Sequence, residues 1–201
     1  MEREKITREK AQKFMSIPGE ARGVTLKVDW EYVLKKEGEQ GLKKVEEKMA
    51  ELGYPLKFNE IKTMDFYPLG LDALSMAVIA ELFNYDKDTF IEIGEMAVKF
   101  SIFLKVFLKY FVSPQQVVSE APKMWRKHYS TGDLKIIEFN MDKGYAVLRL
   151  ENFSLHKIHC YNLLGYFSKI LEMIMKAKVT GEERKCTFEG DKYHEYFLKW
   201  K

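Results

Sequence analysis

Over residues 5–127 the apolar positions recur mainly at three- and four-residue spacing, whereas beyond Leu134 short alternating runs enter. The first pattern is that of amphipathic helices and the second that of half-buried strands. Helices are predicted over residues 5–15, ending at Ile17-Pro18-Gly19, and over 42–52, ending at Gly53-Tyr54-Pro55. Another is predicted over 68–83, where Leu71, Leu74, Ala77, Val78, Ala80 and Leu82 make a broad apolar face. Residues 24–33 fit both periods. Val24, Leu26, Val28, Trp30 and Tyr32 alternate as in a strand, yet Leu26, Trp30, Val33 and Leu34 share a helical face.

The most apolar stretch, residues 90–112, is broken by Glu92, Glu95, Lys99, Lys105 and Lys109. These charges mark the polar side of an amphipathic helix, not a membrane span, with Asp88 as its N-cap and Ser113-Pro114 as its end. Its other side carries Ile93, Met96, Phe100, Phe103, Phe107 and Phe111, a stripe that either fills a core or bounds a ligand cavity. A further helix runs from Val117 to about Lys127, bent at Pro122. Residues 134–139 and 145–150 alternate around Asn140-Met141-Asp142-Lys143-Gly144, a hairpin signal. A helix over 160–177 and a second hairpin close the chain. The order predicts an α+β domain, with N-terminal helices packed on one face of a small antiparallel sheet built from two hairpins and one helix between the hairpins. Residues 1–20 read as a helical extension and 21–201 as a single ligand-binding-type domain.

Composition narrows the function classes. Of 201 residues, 46% are hydrophobic and 31% charged, enough for one well-filled core, and the net charge is only +3. Lysines and glutamates are interspersed, so there is no basic stripe for a nucleic-acid backbone. With no signal peptide the chain reads as cytoplasmic. An enzyme is not expected: there is no nucleophile elbow, glycine-rich phosphate loop or HExxH, and His156-x-x-His159-Cys160 has no acid or base partner.

Both cysteines lie in the last third, where Cys160, Glu183, Cys186 and His194 are all able to bind a soft divalent metal. Buried apolar cysteines and a solvated glutamate would account for the same residues. The terminal hairpin separates the two readings. A loop of Glu189-Gly190-Asp191 sets Cys186 directly opposite His194 on one face, whereas a regular two-residue Gly190-Asp191 loop turns them to opposite faces. A metal site therefore requires the odd loop or a bulge.

The segment from Cys160 to the C-terminus, Cys-x25-Cys-x7-His with Glu three residues before the second Cys, resembles the 4-vinyl reductase-like domain. That family's sensor domains hold zinc through Cys, Glu, Cys and Cys at this spacing, so the resemblance implies structural zinc on Cys160, Glu183, Cys186 and His194, with His in place of the last Cys. It also implies a sensor or carrier for a small apolar or aromatic ligand. Phe100, Phe103, Phe107, Trp125 and Phe139 are the candidate pocket residues.

The wider order of elements is similar to the superfamily that joins this domain to haem nitric-oxide-binding domains and TRAPP vesicle-tethering subunits, which favours a helix over 24–33. In the haem branch a helix-end histidine ligates iron, and His128 stands at about that place. The Tyr-x-Ser-x-Arg motif that holds the haem propionates is missing, Phe153-Ser154-Leu155 having neither Tyr nor Arg. The expectation is therefore zinc and no haem. The alternative is a dimeric interaction module of the same fold with a filled core, and a homodimer is expected in either case.

Overall fold

The computed structural model describes residues 5–100 and 113–201. Phe103 and Phe107, and with them the second half of the expected helix over 90–112, lie outside the described residues; so does the side chain of Phe100. The class is α+β, as expected.

Helix α1 (Arg8–Met15) starts at Thr7, whose side chain accepts from the Lys10 N–H. Strand β1 (Glu20–Arg22) follows, then α2 (Gly23–Glu51), which takes in the segment of ambiguous period. The helices read separately from the sequence are the two arms of this span, separated by a kink at Gly38, whose φ 69° and ψ −171° are not helical. Strand β2 (Phe66–Pro68) pairs antiparallel with β1, a two-stranded sheet that the periodicity did not reveal because three-residue strands are too short to show one. Helix α3 (Leu69–Phe83) ends on Asn84 in the left-handed conformation. The three helices share a core in which Ile6, Ala11, Leu26, Trp30, Val45 and Leu74 are buried.

Helix α4 (Lys87–Phe100) precedes the undescribed stretch, and α5 (Pro114–His128) begins beyond it, capped by Ser113. Strands β3 (Asp133–Asn140) and β4 (Tyr145–Glu151) form the first hairpin. Helix α6 (Lys157–Met175) leads to β5 (Val179–Lys185) and β6 (His194–Trp200). The sheet order is β3-β4-β6-β5, antiparallel throughout. On β6 the residues His194, Tyr196, Leu198 and Trp200 are buried and form a core with Leu163, Phe167 and Leu171 of α6.

Helices α4 and α6 touch backbone to backbone. A Cβ on Gly94 would stand 1.9 Å from the Asn162 carbonyl oxygen, and one on Gly165 would stand 2.0 Å from that of Ile91. Only glycine permits this crossing, because no side-chain rotamer can relieve a clash at Cβ. Gly165→Ala is expected to lower the unfolding free energy by about 3 kcal/mol. A urea titration checks this, and Ser168→Ala one turn along serves as its comparison.

Candidate functional site

Two constellations draw on α6. The first lies between its N-terminal turn and the β5–β6 hairpin. Strand β5 keeps a regular register with β6 from Val179↔Trp200 to Glu183↔Tyr196, then slips by one residue before Lys185↔Glu195. Because side chains alternate with period two, Glu183 and Cys186 would point to opposite faces of an unbroken strand. The extra residue resets the phase. Cys186 then faces inward beside Glu183, and His194 meets both. A 3-10 turn at Thr187–Glu189 closes the hairpin, with Gly190 at φ 96°, and Asp191 Oδ2 accepts from the Cys186 N–H at 2.9 Å. The bulge demanded by the metal reading is present.

Cys160 Sγ lies 3.8 Å from Cys186 Sγ and 3.7 Å from His194 Nδ1. His194 Nδ1 lies 2.9 Å from Glu183 Oε1, and one donor atom from each of the four residues lies within 4.8 Å of the others. An S–S separation of 3.8 Å is the edge expected of a tetrahedron with metal–sulfur bonds of about 2.3 Å. His194 Nε2–H donates to the Phe153 carbonyl at 3.0 Å, which orients the ring. Burial, then the charges of Glu183 and Cys186, push the Cys160 thiol well above its ordinary value. Lys157 stands beside the cluster, its Nζ 3.3 Å from Cys186 Sγ and also paired with Glu189. Burial works against the lysine's charge, but Glu189, Cys186 and Glu183 outweigh it and raise its pKa.

The second constellation is a cavity of about 140 Å³ between α2, α3, α5, α6 and the sheet. Its apolar walls include Met76, Trp125, Ile136, Leu148, Leu163 and Phe167. Of the pocket residues expected from the sequence, only Trp125 lines it among the described residues. Phe139 packs instead on Trp200, ring centroids 5.5 Å apart, because β3 carries it beyond the cavity.

The polar groups in the walls were mostly missed. Asp29 of α2 and Asp72 of α3 are buried and both line the cavity, with Thr25, His128 and His159. A signal was there: each aspartate interrupts an apolar run, Val28-Asp29-Trp30 and Leu71-Asp72-Ala73. Burial holds the Asp72 carboxyl up to about 7, with Thr25 drawing it back. The Thr25 hydroxyl donates to the Arg22 carbonyl at 2.9 Å, and among the described residues neither Asp72 oxygen has a hydrogen-bond donor. Burial, and then the charge of Asp72, raise Asp29 far above the carboxylate range.

His128, the last residue of α5, has Nδ1 3.0 Å from the Met124 carbonyl. Donation there leaves the lone pair on Nε2. Burial lowers its pKa, helped by Arg22 and Lys127 and opposed by the Met124 carbonyl, so the ring is neutral at pH 7. His159 is lowered to about 3, by burial and then by His194 and His156. Its Nδ1 lies 3.3 Å from Met76 Sδ.

No protein-family model and no curated protein matches the chain. Solved structures share its fold at low identity. An H-NOX protein from S. oneidensis in the Fe(II)NO ligation state aligns over 90% of this chain and 99% of its own, with a TM-score of 0.69 and 12% identity. A Cs H-NOX mutant carrying 4-cyano-L-phenylalanine aligns over 90% and 96%, with a TM-score of 0.65 and 13% identity. An oxygen-binding H-NOX domain related to soluble guanylate cyclases aligns over 90% and 95%, with a TM-score of 0.59 and 15% identity.

These matches correct the functional expectation. The fold is that of H-NOX domains, and the narrower likeness to the 4-vinyl reductase-like domain finds no support. The expectation of a zinc-stapled sensor or carrier for an apolar or aromatic ligand, with zinc as the cofactor and haem set aside, is overturned with it. The solved structures that share the architecture are described by their iron–NO and oxygen complexes. The core is not wholly filled, since it holds a cavity. The physical reason is that ligand spacing around one hairpin says nothing of a chamber whose walls come mostly from other helices and strands. Among the described residues no helix is long and apolar enough to cross a membrane.

The buried carboxylates make stability depend on pH. Asp72 has a folded-state pKa of about 7, above the roughly 3.9 of an unfolded aspartate, so its burial carries no penalty below about pH 4 and a growing one as pH rises toward 7. Asp72→Asn is expected to be more stable than the parent at pH 8, by on the order of 3 kcal/mol, and level with it at pH 4. Urea unfolding at the two pH values measures the difference.

Proposed function

We propose that this chain is a non-enzymatic gas-sensor domain of the H-NOX type, with His128 as the residue that would hold haem, at a chamber that at about 140 Å³ must widen to take a porphyrin. The observation that carries the reading is a buried, neutral imidazole, oriented by a backbone carbonyl, in the wall of an apolar chamber. That is the chemistry asked of an axial ligand, whose second nitrogen is held by a hydrogen bond. Bound haem would supply an iron centre able to take a diatomic gas. The fold of the iron-containing H-NOX structures supports the same reading.

The remaining residues have separate tasks. Trp125 and Tyr129, stacked with ring centroids 4.4 Å apart, and Phe153 packed edge-on against both, close the chamber behind His128 against water. Arg22, whose Nε donates to the Lys127 carbonyl, and Lys127 bring positive charge beside His128. Among the described lining residues there is no Lys or Arg to meet the acid side chains of a haem.

Haemin titration of the reduced protein tests the assignment. One equivalent is expected to give a Soret band that His128→Ala abolishes and His156→Ala keeps. No stoichiometric band, or one that survives His128→Ala, would sink it.

We also propose that Cys160, Glu183, Cys186 and His194 bind a soft divalent transition-metal ion. Four protein donors would fill a tetrahedral shell and leave no position for an activated water. Cobalt(II) serves as the probe. One equivalent is expected to produce sulfur-to-cobalt charge-transfer absorption in the near ultraviolet, reduced at least tenfold in affinity by Cys186→Ser. Absence of the band in the parent protein overturns the assignment.

A further inference from the structure

The cavity carries a feature that neither haem nor the thiol cluster uses. Its helical wall places two carboxylates side by side in an otherwise apolar lining, Asp29 at 4% exposure and Asp72 at 1%. Neither has a salt-bridge partner among the described residues. Both oxygens of Asp72 lack a donor, and across the same chamber His159 Nε2 has no partner among the described residues. A buried polar group left this way costs free energy that a folded core rarely tolerates without return. Asp72 lies in the first turn of α3, where the helix dipole favours an acid, but Asp29 lies well inside α2 and has no such excuse.

We propose that this wall is a binding subsite for a small organic amine, its nitrogen head donating to Asp29 and Asp72 and its apolar body lying against Met76, Leu163 and Phe167. Two carboxylates without a third metal-binding side chain are too few for a divalent cation, which takes six or more oxygens. The thiol cluster is the one group of three or more potential ligands found among the described residues. An ammonium or amine group instead brings both the charge and the several N–H donors that the orphaned oxygens require. A cavity of about 140 Å³ matches the size class that admits one six-membered ring, since a cavity of about 150 Å³ binds benzene. The subsite belongs to the haem-free chain, because a cavity of this size cannot hold an amine and a porphyrin together, and it rests on the cavity and its carboxylates, not on the haem reading.

The experiment is isothermal calorimetry at pH 8 on the full chain as purified, without added haem, using benzylamine, benzyl alcohol and toluene as probes of one shape. Benzylamine is expected to bind at least tenfold more tightly than toluene, with benzyl alcohol between them. Asp72→Asn and, separately, Asp29→Asn should each remove most of that preference and leave toluene affinity within twofold, which also shows that the cavity is intact. Equal affinities for benzylamine and toluene, an amine preference that survives both variants, or no binding of any probe would overturn the proposal and leave the carboxylates merely hydrated. A Soret band without amine preference defeats only this subsite, whereas amine preference without a Soret band defeats only the haem assignment.

Discussion

The molecule is arranged around a crossing in which two helices meet with no side chain between them. Gly94 and Gly165 let α4 and α6 approach until each glycine faces a carbonyl of the other helix. Helix α6 can then press Leu163, Phe167 and Leu171 onto the sheet and still expose Asn162 and Tyr166 toward the helical layer. The cavity lies beside this crossing, with Ala97 of α4 and Asn162 and Tyr166 of α6 in its lining, and its other walls come from elements far apart in sequence.

A second constraint is a single inserted residue. The bulge before Lys185 changes the phase of β5, and without it Cys186 would face away from Glu183. The hairpin delivers Glu183, Cys186 and His194 to Cys160 in the first turn of α6, and Phe153, at the end of the other hairpin, orients His194 from behind. The cluster therefore ties both hairpins to the helix that carries the cavity. An event that shifts α6 would be felt at both constellations, since His159 in the cavity wall and Cys160 in the cluster are adjacent in the chain.

Shared architecture and local chemistry point to different parts of the function. The backbone arrangement is common to domains described by their iron and gas complexes, and His128 places a buried imidazole in the cavity wall. The pair of aspartates in the helical wall is a property of this chain's own residues, and it gives an apolar chamber one strongly accepting side. Burial raises both carboxyl groups, so the cost of the vacant wall grows as pH rises through neutrality and beyond. A positively charged or donating group placed there removes that cost.

The sequence by itself determined what depends on local periodicity and on ligand type. The α+β class, both hairpins of the larger sheet, most of the helices and the quartet of metal-capable residues were legible, because hydrophobic spacing and turn residues act over a few positions. The demand for an odd loop or a bulge was legible as well, since without either one strand alternation sets Cys186 and His194 on opposite faces. What only the tertiary structure decided was the chamber. Asp29, Asp72 and His159 are separated by scores of residues, and each taken alone reads as a tolerated polar residue in an apolar stretch. Their convergence depends on how α2, α3 and α6 pack, and packing is a property of pairs of surfaces that no single periodic pattern encodes. Phe139 shows the same limit from the other side: its aromatic character was plain, but which wall it joined was settled by the reach of β3 and not by its neighbours in the chain.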